Sequence, residues 1–291
     1  MEDDLQLARR AALAGAGIAM RYFAALAGLR HERKLDGSVV TEADRAVEAG
    51  IRAVLTAARP ADSILGEEGG ETSRSILGEE GGETSRAGRR RWIIDPIDAT
   101  ALFVAGDHRW LVLLALEQDG EIVAGVAVVP AQDRIWWARR GHGAWEATIG
   151  GAGTRITVAG GGPDDLAGCR FAVLPTFDDP VTGANVVPKQ PEVVAPLLAR
   201  TPALPWALHP PLMVARGDLD LAVQTSGMVW DFAATSLIVA EAGGVYRGLD
   251  GGRRPHAGPS LFARSEGLAE AALAAHADRP KDGARRPGRG R

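Results

Sequence analysis

The chain predicts an α+β fold, with an antiparallel sheet in an N-terminal lobe and an α/β arrangement in a C-terminal lobe. Three observations lead there. Helical periodicity occurs twice near the N-terminus, β-branched runs separated by tight-turn residues follow, and after a Gly-rich link strand-like and helix-like runs alternate more openly.

Residues 4–28 form an Ala-rich helical stretch. A second helix begins at Thr41, because Ala43, Val47, Ile51, Val54, Leu55 and Ala58 recur at helical spacing and build one apolar stripe. Thr41 and Asp44 resemble a capping box with Asp in place of the usual Glu. For Asp44, capping alone and capping combined with chemistry are both open. A short apolar strand, Ile64-Leu65-Gly66, ends in Glu67 and Glu68, and a second, Trp92-Ile93-Ile94, ends in Asp95. Runs at 111–117, 122–129 and 135–138 are separated by Asp119-Gly120 and by Pro130-Ala131-Gln132-Asp133, so they predict an antiparallel meander. Trp136, Trp137 and Trp145 fall on or beside it and read as core or lobe-contact aromatics.

The link at 150–162 divides the chain into an N-terminal α+β lobe (1–150), a C-terminal α/β lobe (151–276) and a tail (277–291). From Arg279 onward the tail lacks any large apolar residue, cannot offset its chain entropy by burial, and is expected to be disordered.

Composition narrows the function classes. With 291 residues and 46% hydrophobic content the chain can bury a large core. Its 33 basic and 37 acidic residues give a formal charge of −4, which implies no general attraction to nucleic acid or membrane. Cys169 stands alone, so no internal disulfide forms, and it reads as a small buried hydrophobe. The N-terminus carries Glu2, Asp3 and Asp4 in place of a basic signal region, and no apolar run reaches the ~18 residues of a membrane span. A cytoplasmic address is expected.

Chemistry concentrates in Trp92-Ile93-Ile94-Asp95-Pro96-Ile97-Asp98-Ala99-Thr100. Pro96 breaks strand pairing just after Asp95 and bends the chain, so Asp95 and Asp98 converge while the Ala99 and Thr100 amides open a helix. An ordinary Asp cap at Asp98 explains a lone motif of this kind equally well. Further acids join it, however: Glu67 and Glu68 after the short strand, and Asp231 just inside a helix that runs to Glu241. His31, His108, His142, His209, His256 and His276 are scattered without ligand spacing and read as surface or core residues. Carboxylates without a His or Cys cluster favour a hard cation such as Mg²⁺.

Residues 63–74 recur without change as residues 75–86. Two copies are too few for a solenoid, so a local duplication is the better reading. It offers two candidates, Glu67 and Glu79, for one ligand position. Glu67 suits a short connection from the preceding helix, whereas Glu79 suits a short loop to Asp95. Glu67 is favoured, because a surface loop absorbs twelve extra residues for well under ~1 kcal/mol of closure entropy.

Four motifs, Val40-Thr41-Glu42-Ala43-Asp44, Ile64 to Glu68, Trp92 to Thr100, and Trp230-Asp231-Phe232-Ala233-Ala234 with Glu241-Ala242-Gly243-Gly244, occur in one order. In that order they resemble the inositol monophosphatase superfamily of Mg²⁺-dependent, lithium-sensitive phosphatases, with wording closest to bacterial inositol-phosphate and histidinol-phosphate phosphatases. The resemblance implies a layered α-β-α-β-α sandwich of the sugar-phosphatase type and two or three Mg²⁺ ions. It implies that Glu67, Asp95 and the Ile97 carbonyl hold one ion, and that Asp95, Asp98 and Asp231 hold a second. Asp44 and Thr100 would activate the attacking water, and Asp98 and the Ala99 and Thr100 amides would meet the substrate. The substrate implied is a small hydroxylated phosphate ester, and a homodimer is an assembly the resemblance allows.

The chain departs from the family's pattern on the substrate side. Ala99 replaces the family's usual Gly; if this residue takes φ > 0, its Cβ costs ~1 kcal/mol or more. Gln224, seven residues before Asp231, replaces a Glu that reads a ligand hydroxyl, so it can still hydrogen-bond but attracts an ammonium less. Pro205-Trp206-Ala207 falls where the family has a Gly-Ser-Ala or Gly-Thr-Ala turn, which places Ala207 beside the substrate, and the Pro-Trp pair would narrow the pocket or replace polar contacts with an aromatic wall. These changes leave open a catalytically impaired relative that still binds metal and phosphate. A nucleotide or sugar bisphosphatase ranks lower, since no basic cluster is dedicated to a second phosphate.

Overall fold

The computed structural model describes residues 2–29, 31–33, 39–72, 90–162, 164–177 and 185–278. Helix α1 (Asp4–Phe23) starts at Asp3, whose carboxylate accepts the Gln6 N–H at 2.7 Å, and passes into a 3-10 turn at Leu26–Gly28. An antiparallel pair, β1 (His31–Arg33) and β2 (Val39–Thr41), leads into α2 (Glu42–Ala58). Then come β3 (Ser63–Gly66), β4 (Gly70–Thr72), β5 (Arg90–Asp98) and a short helix α3 (Thr100–Val104). The meander follows as β6 (Leu111–Gln118), β7 (Glu121–Val129), β8 (Arg134–Arg139), β9 (Ala144–Thr148) and β10 (Thr154–Ile156).

The remaining strands are β11 (Phe171–Leu174), β12 (Thr176–Phe177), β13 (Val187–Pro188), β14 (Leu221–Gln224), β15 (Val245–Gly248) and β16 (Ser260–Ala263). Between and after them lie α4 (Pro191–Leu198), α5 (Pro210–Arg216), α6 (Val229–Glu241) and α7 (Glu266–Ala277).

The larger sheet has the order β10-β9-β8-β7-β6-β5-β3-β4 and is antiparallel except where β3 runs parallel to β5. Asp119 and Gly120 both adopt positive φ at the β6–β7 turn, as a tight two-residue hairpin requires. The smaller sheet, β11-β14-β16-β15, pairs β11 with β14 in parallel and the rest antiparallel.

Strand alternation separates three apolar layers. Trp92 and Ile94 of β5, with Val112, Leu114 and Leu116 of β6, face α1 and α2; Ile93, Leu111, Leu113 and Ala115 face the opposite way. There they meet Phe232, Ala233 and Leu237 of α6 and the inner face of the smaller sheet, including Ala222 and Phe262. Leu221, Val223, Leu261 and Ala263 point outward under α4 and α7. Helices, sheet, helices, sheet and helices stack in that order, an α-β-α-β-α sandwich. Gly125 permits the central contact: a Cβ there would lie 2.8 Å from the Ala234 carbonyl oxygen of α6.

The larger sheet continues through β10, a few residues beyond the expected lobe boundary at 150, and α6 packs on β5 to β8, so the two sheets share one central core. Cys169 is half-buried, less enclosed than its composition-based reading suggested. The repeat's second copy, with Glu79, and the tail beyond Asp278 lie outside the described residues.

Candidate functional site

The site grows from the end of β5. The β5–β6 ladder is regular from Arg90 to Asp95, shifts register across Pro96 and Ile97, and resumes where Asp98 pairs Leu111. Pro96 has no N–H to offer the ladder, and the irregularity bends the strand where two acids must converge. Asp95 is only 2% exposed. Its parallel neighbour β3 ends beside it: Gly66 pairs Ile94, and the Glu67 N–H donates to the Ile94 carbonyl at 3.3 Å. Glu67 and Asp95 therefore leave the carboxyl ends of adjacent parallel strands, where ligands gather in such sheets. Asp231, in the first turn of α6, accepts the Met228 N–H at 2.6 Å. Among the described residues, ligand atoms of Asp95, Asp98 and Asp231 lie within 4.8 Å of one another. Glu67 is not part of that trio, but its charge acts on Asp95.

This concentration of acid shifts protonation. Burial pushes the Asp95 carboxyl well above its ordinary range, and the charges of Glu67, Asp98, Asp231 and Asp44 add to the shift. Asp231 is pushed up to about 8, chiefly by burial and then by Asp98, against the stabilising Met228 N–H. Asp95 Oδ1 and Asp98 Oδ2 are buried without a hydrogen-bond partner among the described residues. Oxygen donors that repel one another and lack partners fit a hard divalent cation, which would discharge the cluster and satisfy those oxygens.

Asp44 closes the capping box: its Oδ2 accepts the Thr41 N–H at 2.7 Å and the Thr41 hydroxyl at 2.6 Å. Burial raises its pKa, and those Thr41 bonds oppose the rise. Its other oxygen, Oδ1, lies 3.3 Å from the Thr100 hydroxyl, which also donates to the Ile97 carbonyl at 2.9 Å. One side of Asp44 thus caps a helix while the other faces Thr100, so the local fold accommodates both roles left open for it. Ala99 precedes α3 at φ 63° and ψ 47°, the left-handed conformation in which a Cβ is strained.

On the substrate side, Gln224 is 5% exposed and its Oε1 has no hydrogen-bond partner among the described residues. Ala207 is exposed, and its carbonyl accepts the Gln132 amide at 2.8 Å. The expected aromatic wall does not form. Trp206 turns into the central core, donating Nε1–H to the Val173 carbonyl at 3.1 Å, while its N–H bonds Asn185 at 3.0 Å and Arg109 stacks over its ring. Burying the indole with its one donor satisfied outweighs leaving it on a pocket rim.

Two features escaped the sequence reading. Glu48 and Arg52 follow Asp44 at i+4 and i+8 on one face of α2, a spacing that was visible. Glu48 accepts the Glu68 N–H at 2.8 Å and the Gly69 N–H at 3.0 Å. Arg52 donates to Glu48 at 2.7 Å and to the Gly70 carbonyl at 2.7 Å. This pair clamps the turn that presents Glu67, and Gly66 leaves room for it, since a Cβ there would lie 2.2 Å from Glu48 Oε1 and push that carboxylate aside. The second feature is His209, whose Nε2 lies 3.2 Å from Asp98 Oδ2, a close polar approach that falls short of hydrogen-bond alignment. No local spacing signals that contact, since the partners are far apart in the chain.

Comparison with known proteins agrees with this geometry. The sequence profile described as the inositol monophosphatase family matches residues 1–169 and 211–281. The chain is 37% identical over 260 residues to a histidinol-phosphatase of Mycobacterium tuberculosis, covering 89% of this chain and 92% of that protein. It is 32% identical over 257 residues to an inositol-1-monophosphatase of Mesorhizobium japonicum, covering 88% and 89%. The crystal structure of the extragenic suppressor protein suhB from Bartonella henselae superimposes with a TM-score of 0.72 at 26% identity, over 94% of this chain and 97% of that one.

Proposed function

The chain belongs to the inositol monophosphatase family, and on that premise we propose that it is a Mg²⁺-dependent phosphomonoesterase acting on a small hydroxylated phosphate ester. The observation that carries this reading is the buried Asp95, with an oxygen that has no partner among the described residues, inside a trio of carboxylates whose ligand atoms converge within 4.8 Å. Glu67, Asp95 and the Ile97 carbonyl would hold one Mg²⁺, and Asp95, Asp98 and Asp231 a second. Bound there, the ions supply charge neutralisation at the phosphoryl and leaving-group oxygens and acidify water.

The chain's own groups do the rest. The Thr100 hydroxyl, set between Asp44 and the Ile97 carbonyl, orients the attacking water, and Asp44 takes up the proton that Thr100 relays. The Ala99 and Thr100 amides hold the phosphate from the start of α3, and the Asp98 carboxylate meets a substrate hydroxyl. Gln224 offers a buried, uncharged acceptor to a second hydroxyl. Esters of the inositol monophosphate or histidinol phosphate type fit this class, and a neutral amide at Gln224 favours a polyol over an ammonium-bearing alcohol.

A second reading, a relative that binds metal and phosphate with little turnover, is favoured by the strained Ala99. Retention of every expected acid among the described residues argues for the active enzyme. A screen of phosphorylated metabolites with Mg²⁺ separates them. Hydrolysis that EDTA removes is the expected result, and equal rates with and without EDTA would refute the metal mechanism.

A further inference from the structure

We propose that His209 is a positioning residue of the cation site: it reaches across from the start of α5 to donate its Nε2–H to Asp98 Oδ2 and holds that carboxylate in the orientation that meets the cation. The inference rests on the reading above and concerns a residue that reading does not use.

The first ground is the imidazole's setting. His209 is 2% exposed, and among the described residues neither ring nitrogen has a hydrogen-bond partner. Leaving a buried polar group unpaired costs roughly 1–3 kcal/mol, so a buried imidazole in this state calls for a functional account. Nε2 lies 3.2 Å from Asp98 Oδ2, which is itself buried and unpartnered, and a small rotation of either group completes an N–H···O bond.

The second ground is rigidity. His209 is the N-cap of α5, and its carbonyl accepts the Leu212 N–H at 2.9 Å. Pro210 follows directly and keeps the His209 backbone, at φ −50° and ψ 119°, out of the helical region. Leu208, Pro210 and Leu212 are all buried, so this stretch of backbone is anchored in the interior.

The third ground is the pattern of the other acids. Asp231 is oriented by the Met228 N–H, Asp44 by Thr41, and the turn bearing Glu67 by Glu48. Asp98 follows an irregular step in β5, and His209 is the neighbour placed to orient it. Partners that orient metal ligands typically change metal affinity by 10- to 100-fold when removed.

The test titrates Mn²⁺ alone into the full chain, reading free ion by electron paramagnetic resonance. His209→Leu keeps the volume and removes the donor, whereas His209→Gln can place an N–H close to where Nε2 stands. Leu is expected to weaken Mn²⁺ binding ~10-fold and Gln to restore it to within a fewfold of the unaltered protein. If Leu does not fold, His209→Asn takes its place, since its amide is too short to reach Asp98, and the same ~10-fold loss is expected. Equal affinity in all folded variants, or Gln as weak as Leu or Asn, overturns the proposal while leaving the metal site standing. Failure of the unaltered chain to bind Mn²⁺ overturns the metal reading, and this inference with it.

Discussion

Glu48 and Asp95 are both 2% exposed, yet the chain treats the two carboxylates in opposite ways. At the β3–β4 turn, Glu48 is surrounded by donors: the Arg52 guanidinium and the amides of Glu68 and Gly69. At the end of β5, Asp95 keeps an unpartnered oxygen, and the charges acting on it are those of Glu67, Asp98, Asp231 and Asp44. A buried acid ringed by donors is complete within the polypeptide. One ringed by acids must take up a proton or a cation to be relieved, a surplus of charge that a structural carboxylate does not carry.

Exchanging each charge for an amide should break this contrast most visibly. Asp95→Asn is expected to lower phosphatase turnover by at least ~10²-fold in a steady-state assay, on the scale of removing a principal electrostatic stabiliser. The same change should raise the melting temperature of the metal-free protein, because the amide is neutral without the proton this buried carboxyl must take up. Glu48→Gln should do the reverse: a loss of roughly 1–2 kcal/mol in urea unfolding, since the half-buried Arg52 loses its counter-charge, and a smaller loss of turnover through a loosened Glu67 turn.

A pH series sharpens the difference further. Asp231 has a folded pKa of about 8, raised above its unfolded value near 3.8, so the folded state retains a proton that the unfolded state releases. The stability this contributes is fully present below pH 3.8 and is lost as pH rises through about 8. Asp95 is shifted in the same direction and adds to the trend. The metal-free melting temperature should therefore fall across that window, and saturating Mg²⁺ should flatten the fall; a metal-free curve that rises from pH 5 to pH 8 would contradict the electrostatic picture.

The smallest effect belongs to Ala99. Its φ of 63° penalises a Cβ, so Ala99→Gly is expected to stabilise the chain by at most ~1 kcal/mol, the relieved strain being partly cancelled by added backbone entropy in the unfolded state. Urea unfolding measures it, and a destabilised glycine variant would show that the backbone is not strained there.

Much of this was legible in the chain because the signals are local. The capping box at Thr41 and Asp44, the Asp119-Gly120 hairpin, and the break after Asp95 at Pro96 each arise from neighbouring residues whose backbone preferences act over a few bonds. The motif order also reached the layered sandwich and named Asp95, Asp98 and Asp231, whose ligand atoms the fold brings together. Trp206 was misread because composition shows an aromatic beside the substrate segment but not which way its ring turns.

The sequence by itself determined the strand and helix periods and the acids available for a cation, since these depend on residue type and short-range preferences, whereas the left-handed backbone of Ala99 came from the fold. Only the tertiary structure decided that β3 lies parallel to β5, that Glu48 and Arg52 grip the turn bearing Glu67, and that His209 stands against Asp98. Those contacts join residues brought together by the packing of two sheets around α5 and α6, and packing acts through space, where sequence separation carries no direction.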